Sequence, residues 1–293
     1  MRGAAFCPGH ITGFFRICDR KCDPLAAGSL GAGVNLVLGA TTRVEAREAR
    51  AQTVRVFINN RRCRARTTER AIRYIIGEGE LAVDVRTTLQ LPVSQGLGMS
   101  AAGALSASLA LYSALGLPHT LVAASEAAHR AEIEEGTGLG DVAAQTRGGW
   151  EIRLRPGLPP RGFVDRLLAK EREVVLCVTG PPLRTKEVLR DPTRRRAVNR
   201  AGSRCFTEFL KKPSLESFFE LSLNFVHRTG LVSRASLELA RAVSAKGVGL
   251  ASVSMIGNSV FAVGDTDALV EMMRGRGDVF ISGVDLAGAR LVE

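Results

Sequence analysis

The chain has 293 residues, 45% hydrophobic and 24% charged. That is an ordinary globular balance, which excludes a disordered or fibrous chain and leaves room for two domains. Forty Lys and Arg against 29 Asp and Glu give a net charge of +11, which attracts anionic small molecules as well as nucleic acid. One Trp and two Tyr argue against a single-strand binder built on stacked aromatics.

In chain order, residues 3–6 and 34–38 read as short buried strands, and no N-terminal signal peptide is visible. Residues 53–58 alternate as a half-exposed strand with a turn at Asn59-Asn60. The arginine-rich run 61–66 reads as a solvated strand or turn. A short helix is expected at 69–76 and a strand at 81–89. Residues 87–125 contain no Asp, Glu, Lys or Arg. Pro92, Gly116 and Pro118 interrupt that stretch, so it reads as a buried helix and not a membrane span. Helices are expected at 99–115 and 121–134, then a strand at 148–154.

The Pro-rich stretch 155–160 is the best boundary, dividing the chain into domains 1–158 and 159–293. Beyond it come a buried strand at 173–178 and helices at 194–210, 214–229 and 231–246. A hairpin follows around Gly257-Asn258, flanked by 250–255 and 259–263. A helix at 266–274 and terminal strands complete an α+β fold. The six cysteines are scattered without a Cys-x-x-Cys pair. Cys18, Cys22 and His10 are poorly spaced for a metal, so reduced cytoplasmic thiols are the expectation.

Two segments carry chemistry. Leu91-Pro-Val-Ser-Gln-Gly-Leu-Gly-Met-Ser-Ala-Ala102 sets two glycines and a hydroxyl just before a helix. Gly96 and Gly98 let the backbone approach an anion, and the helix start offers free N–H groups and the positive dipole end. The stretch lacks the Gly-Lys-Ser/Thr ending of a Walker A loop. The second segment, 132–149, holds Glu132, then Asp141 in a Gly-rich turn, then Gly148-Gly149. A phosphate cradle, a hydroxyl with an acid, and a separate aspartate are the parts a small-molecule kinase needs.

The first segment resembles the Pro-x-x-x-Gly-Leu-Gly-Ser-Ser-Ala-Ala pattern of the GHMP kinase superfamily. Pro92, Gly96, Leu97, Gly98, Ser100, Ala101 and Ala102 match it, and Met99 replaces the first serine. Four further blocks resemble the archaeal pantoate kinase family: 7–15, 28–33, 179–189 and 252–258. The resemblance implies a ribosomal-protein-like N-terminal domain, a ferredoxin-like C-terminal domain and a cleft between them. It also implies ATP and Mg²⁺, with phosphates on residues 92 and 96–102. Ser100 and Glu132 are hard oxygen ligands suited to the metal. Asp141 is the candidate base, or else orients the acceptor hydroxyl, since phosphoryl transfer is often dissociative. Glu134 and Glu135 are near enough to compete for the role of Glu132, but helical spacing points them elsewhere.

For a hydroxy-acid substrate such as pantoate, Arg153 is the first choice of cation and Arg147 the second. Ser29, His129, Thr185 and, behind them, His10 are the other candidate substrate ligands. Each has a plainer reading: surface charge for the arginines, a packed histidine for His10 and His129, a helix cap for Thr185. The usual Gly-x-Gly-Gly of the superfamily's third motif is not reproduced at Gly247, Gly249 and Gly257. The competing functions are another kinase of the superfamily, acting on homoserine, mevalonate or shikimate, and a basic RNA-binding protein. The expected partners are the small-molecule substrate and ATP, without nucleic acid or membrane; a homodimer stays open.

Overall fold

The computed structural model describes residues 1–19, 23–117, 120–182 and 191–293. Two long strands, β1 (Arg2–Cys18) and β2 (Gly28–Glu48), pair antiparallel along nearly their whole length. The short strands expected at 3–6 and 34–38 are only parts of them. Glycines within them are places of close approach. A side chain at Gly13 would collide with Ser222 and Phe218 of the helix that lies across β1.

β3 (Thr53–Ile58) ends at Asn59 and Asn60, both left-handed, and turns into the exposed pair β4 (Arg61–Arg62). Then come α1 (Arg66–Ile76) and β5 (Leu81–Leu89). Next are α2 (Met99–Ala114), α3 (Leu121–Glu135) and α4 (Asp141–Arg147). β6 (Trp150–Arg155) pairs with the first half of β2, and β7 (Phe163–Leu167) with β6. α2 lies against β1 and β2 with α1 and α3 beside it. It is buried nearly all round, which accounts for its uncharged sequence. Among the described residues, no helix is long and apolar enough to cross a membrane.

β8 (Val174–Val178), β9 (Gly249–Val253), β10 (Ser259–Gly264) and β11 (Asp278–Ser282) form a second, antiparallel sheet in the order β11-β8-β10-β9. Its helices are α5 (Pro192–Lys211), α6 (Leu215–Thr229), α7 (Arg234–Ala245) and α8 (Thr266–Met273). Asp191 caps α5, and Ser214 with Ser217 forms a capping box on α6.

β12 (Arg290–Leu291) returns to pair with β1, so the first sheet runs β12-β1-β2-β5-β3-β4. Both β7 and β12 lie beyond the Pro-rich stretch 155–160, so the first sheet draws strands from either side of it. Aromatic rings join the halves. Phe14 packs 5.5 Å from Phe209, Trp150 5.4 Å from Phe218, and Phe219 5.2 Å from Phe261. One continuous apolar core results.

Candidate active site

Residues 90–98 link β5 to α2. Gly96 and Gly98 take φ of 73° and 64°, and Gly98 caps α2 from the left-handed region. Carbonyls of the loop are engaged by the protein: Leu97 accepts the His10 N–H (3.0 Å), and Gly98 accepts from Gln145 Nε2 (3.0 Å). The N–H groups of the first turn of α2 have no intrahelical partner and remain for an anion.

The loop is fastened from the second sheet through Gln95, which is buried. Its Nε2 donates to Gly180 O (2.9 Å), and its Oε1 accepts the Asn258 N–H (3.2 Å). Its own carbonyl accepts from the hydroxyls of Ser254 and Ser259, each at 3.0 Å.

A cavity of about 310 Å³ opens beside the loop, large enough for a small ligand. Gly96 to Ala101 form one side; Ser29, Thr12 and Asp141 contribute polar groups elsewhere. Asp141, expected in a turn, is the first residue of α4. Its Oδ1 accepts from His10 Nδ1 at 2.7 Å, and His10 Nε2 reaches Glu151 Oε1 at 3.1 Å. Glu151 is also bonded to Arg153, whose Nη2 points to Thr12 Oγ1 at 3.4 Å. Asp141, His10, Glu151 and Arg153 thus alternate in charge from the cavity inward. Burial works against charge on His10, but its bonds to Asp141 and Glu151 outweigh it and hold the imidazole above the usual histidine range.

Glu132 is fully buried on α3. Its Oε1 accepts the Asp141 N–H at 3.2 Å, while Oε2 has no hydrogen-bond partner and lies 3.6 Å from His129 Nδ1. Burial pushes the Glu132 carboxyl up; His129 pulls it partly back, and the Asp141 charge adds to the rise. Gly138, on the cavity wall, packs directly over this carboxylate, so Glu132 lies just behind the wall: a side chain there would collide with Glu132 Oε1 and press on Asp141 Oδ2. Ser100 is exposed at the cavity. Its hydroxyl is 3.4 Å from Thr67 Oγ1, which is 3.1 Å from Thr137.

The cavity brings together Gly96, Leu97, Gly98, Met99, Ser100, Ala101, Asp141 and Ser29. Pro92 and Ala102 support the loop without lining it. His129 is buried, its Nε2 donating to Ala27 O at 3.1 Å. His10 and Arg153 are also buried, one layer behind Thr12 and Ser29. Arg147 stands in the last turn of α4, off the cavity wall. Thr185 lies outside the described residues.

Sequence reasoning missed Thr12, Glu151, Gln95, Thr67, Thr137, Met255 and Ile256. Thr12, Gln95, Met255 and Ile256 lie within segments the sequence singled out without being picked as individuals, and strand alternation puts Glu151 on the same face as Arg153. Thr67 is brought beside Ser100 and Thr137 only by tertiary structure.

Residues 65–149 match the family model for the N-terminal domain of GHMP kinases. Over 269 residues the chain is 34% identical to a pantoate kinase of Methanocaldococcus jannaschii, covering 92% of this chain and 95% of the relative. A pantoate kinase of Thermococcus kodakarensis is 35% identical over 268 residues, covering 88% and 86%. A solved structure described as a phosphotransferase related to the CoA biosynthesis pathway superposes with a TM-score of 0.88 at 30% identity, covering 100% of this chain and 99% of that one. The chain belongs to the GHMP kinase superfamily and, within it, to the pantoate kinase family.

Proposed function

We propose that the chain transfers the γ-phosphoryl group of ATP to the primary hydroxyl of pantoate, giving 4-phosphopantoate on a route to coenzyme A. The observation that carries this reading is the meeting of the α2 N-terminus and the Asp141 carboxylate in one cavity, in a chain that spans nearly the whole of its pantoate kinase relatives.

The first-turn N–H groups of α2 receive the phosphates and pre-orient donors for the charge that shifts during transfer. Asp141 takes the acceptor proton, or fixes the hydroxyl in line until the proton leaves late. His10 occupies Oδ1, which leaves Oδ2 for the acceptor. Arg153 supplies positive charge behind Thr12 and Ser29. That end of the cavity is the seat we assign to the substrate carboxylate, with His129, Thr185 and, more remotely, Arg147 as the further candidates from the sequence.

Ser100 and Glu132 offer hard oxygen donors. The orphaned Oε2 of Glu132, on a carboxylate one layer behind the cavity wall at Gly138, fits a divalent cation. These two residues would hold Mg²⁺, which when bound neutralises phosphate charge. We place the reaction in the cytoplasm, and a homodimer is the assembly to test by size.

The test is an ADP-release screen with pantoate, homoserine, mevalonate and shikimate, with the product identified by mass. Turnover confined to pantoate, with one phosphate gained at the primary hydroxyl, is expected. Turnover on another acceptor and none on pantoate rejects the substrate while keeping the kinase.

A further inference from the structure

The cavity has two kinds of wall. Thr12, Ser29, Ser100 and Asp141 bring polar groups; the apolar ones come from Phe15, Leu97, Met99 and Leu139 and, from the connection between β9 and β10, Met255 and Ile256. Ile256 takes a φ of 54°. A β-branched side chain is a true outlier there, where glycine or asparagine sits readily. Such conformations persist only where the surroundings over-determine them, and they cluster at ligand clamps.

The surroundings here do so. The Met255 N–H bonds to Thr12 O at 3.3 Å. Ser254, Asn258 and Ser259 are all fastened to Gln95, and Asn258 O accepts the Thr179 N–H at 2.7 Å. Gly257 lies so close to the Gln95 backbone that no side chain fits. The turn is rigid, strained, and carries a branched apolar residue where turn chemistry alone favours another.

Its position is specific. Met255 bridges Thr12, on the strand whose His10 holds Asp141, and Gly96, on the phosphate loop. An acceptor hydroxyl must lie between Asp141 and the terminal phosphate, so the carbon chain behind that hydroxyl passes this turn. In pantoate the carbon next to the reacting one bears two methyl groups. The polar groups at its two ends are shared with the acid that lacks those methyls. Only an apolar wall can tell the two apart.

We infer that Met255 and Ile256 form the specificity-determining wall that reads the dimethyl-substituted carbon of the acceptor. This deepens the pantoate reading and rests on it.

The experiment compares kcat/KM for pantoate and for 2,4-dihydroxybutanoate in wild type, Met255→Ala and Ile256→Asn. Asparagine keeps the left-handed backbone and removes the apolar branch. The ratio of the two acceptors, taken on one preparation, does not depend on how much of a variant is folded. One methylene in a fitted apolar pocket is worth roughly 10- to 200-fold, so wild type should favour pantoate by at least about tenfold. Each variant should bring that preference to about threefold or less. The loss should fall on pantoate far more than on the desmethyl acid. An unmoved ratio in both variants overturns the inference, as does an equal loss on both acceptors, which would mark the turn as only a support for the phosphate loop. A wild type that uses pantoate without preferring it overturns the inference alone. A wild type that ignores pantoate overturns the substrate reading as well.

Discussion

His10 Nδ1 lies 2.7 Å from Asp141 Oδ1, and the same ring reaches Glu151 from its other nitrogen. The carboxylate assigned to the acceptor is therefore held by an imidazole that is itself held. Loss of Asp141 and loss of its holder should differ in degree. Asp141→Asn should bind ATP and lose at least about 10²-fold in kcat. His10→Asn, which places a donor near the former Nδ1, should keep more kcat than His10→Ala. Steady-state kinetics on both, with ATP KM measured alongside, decides this; equal kcat in the two His10 variants would count against the holding role.

The His10 ring also predicts a pH dependence of stability. Its pKa is raised in the fold, because the two carboxylates outweigh burial. A raised folded pKa gives stability that is fully present below the unfolded value, about 6.5, and is lost as pH rises through the folded value. The melting-temperature advantage of wild type over His10→Gln should be greatest near about pH 6 and shrink above the folded value. A gap that widens with pH would reverse the assignment of charge.

Arg153 is 1% exposed and bonded to Glu151, which is 0% exposed. Arg153→Ala leaves the buried Glu151 carboxylate with His10 as its remaining partner, at a cost of up to about 3–5 kcal/mol. Melting should fall by about 10 °C for a chain of this size. If the guanidinium charge also draws the substrate carboxylate, pantoate KM should rise more than ATP KM in the protein that remains folded. Arg153→Lys should recover part of the stability and little of the KM, because it keeps the charge without the planar fork. Unchanged melting in Arg153→Ala would mean that the pair contributes nothing to the fold.

Ser100→Ala and Glu132→Gln should each shift Mg²⁺ titrations of activity to higher concentration, since each removes an oxygen ligand. Gly138→Ala should do the same by displacing the Glu132 carboxylate, on which an added methyl would collide. Titration curves that overlay wild type in all three would place the metal elsewhere.

Local chemistry made part of this site legible. The phosphate loop, α2 and the spacing from Glu132 to Asp141 are written in contiguous residues, and the structure draws Ser100, Asp141 and the loop to one cavity. β1 and β2 run well beyond the strands expected at 3–6 and 34–38, since the glycines that interrupt their apolar pattern, Gly13 among them, make room for Ser222 and Phe218 of a packed helix. α4, at seven residues, is too short to show a helical period. Arg153 reads as a free cation until the strand face reveals Glu151 two residues before it. Gln95 gives no warning at all, since its partners at 180, 254, 258 and 259 are far away in sequence.

The return of β12 to β1 has a consequence for the order of events during synthesis. Leu291 pairs with Ala5, and the Asp285 carbonyl accepts the Gly149 N–H at 2.7 Å. The first sheet thus waits for residues made after the whole second sheet. At translation rates of roughly 5–20 residues per second, strand β7 leaves the ribosome about 6–25 s before β12. Through that interval the outer edge of β1 is open and the Gly148-Gly149 turn beside α4, though held by Asn35, lacks its bond to Asp285. The candidate site is completed late, and a nascent chain halted before residue 285 would carry the phosphate loop without one of the ties around the helix bearing Asp141.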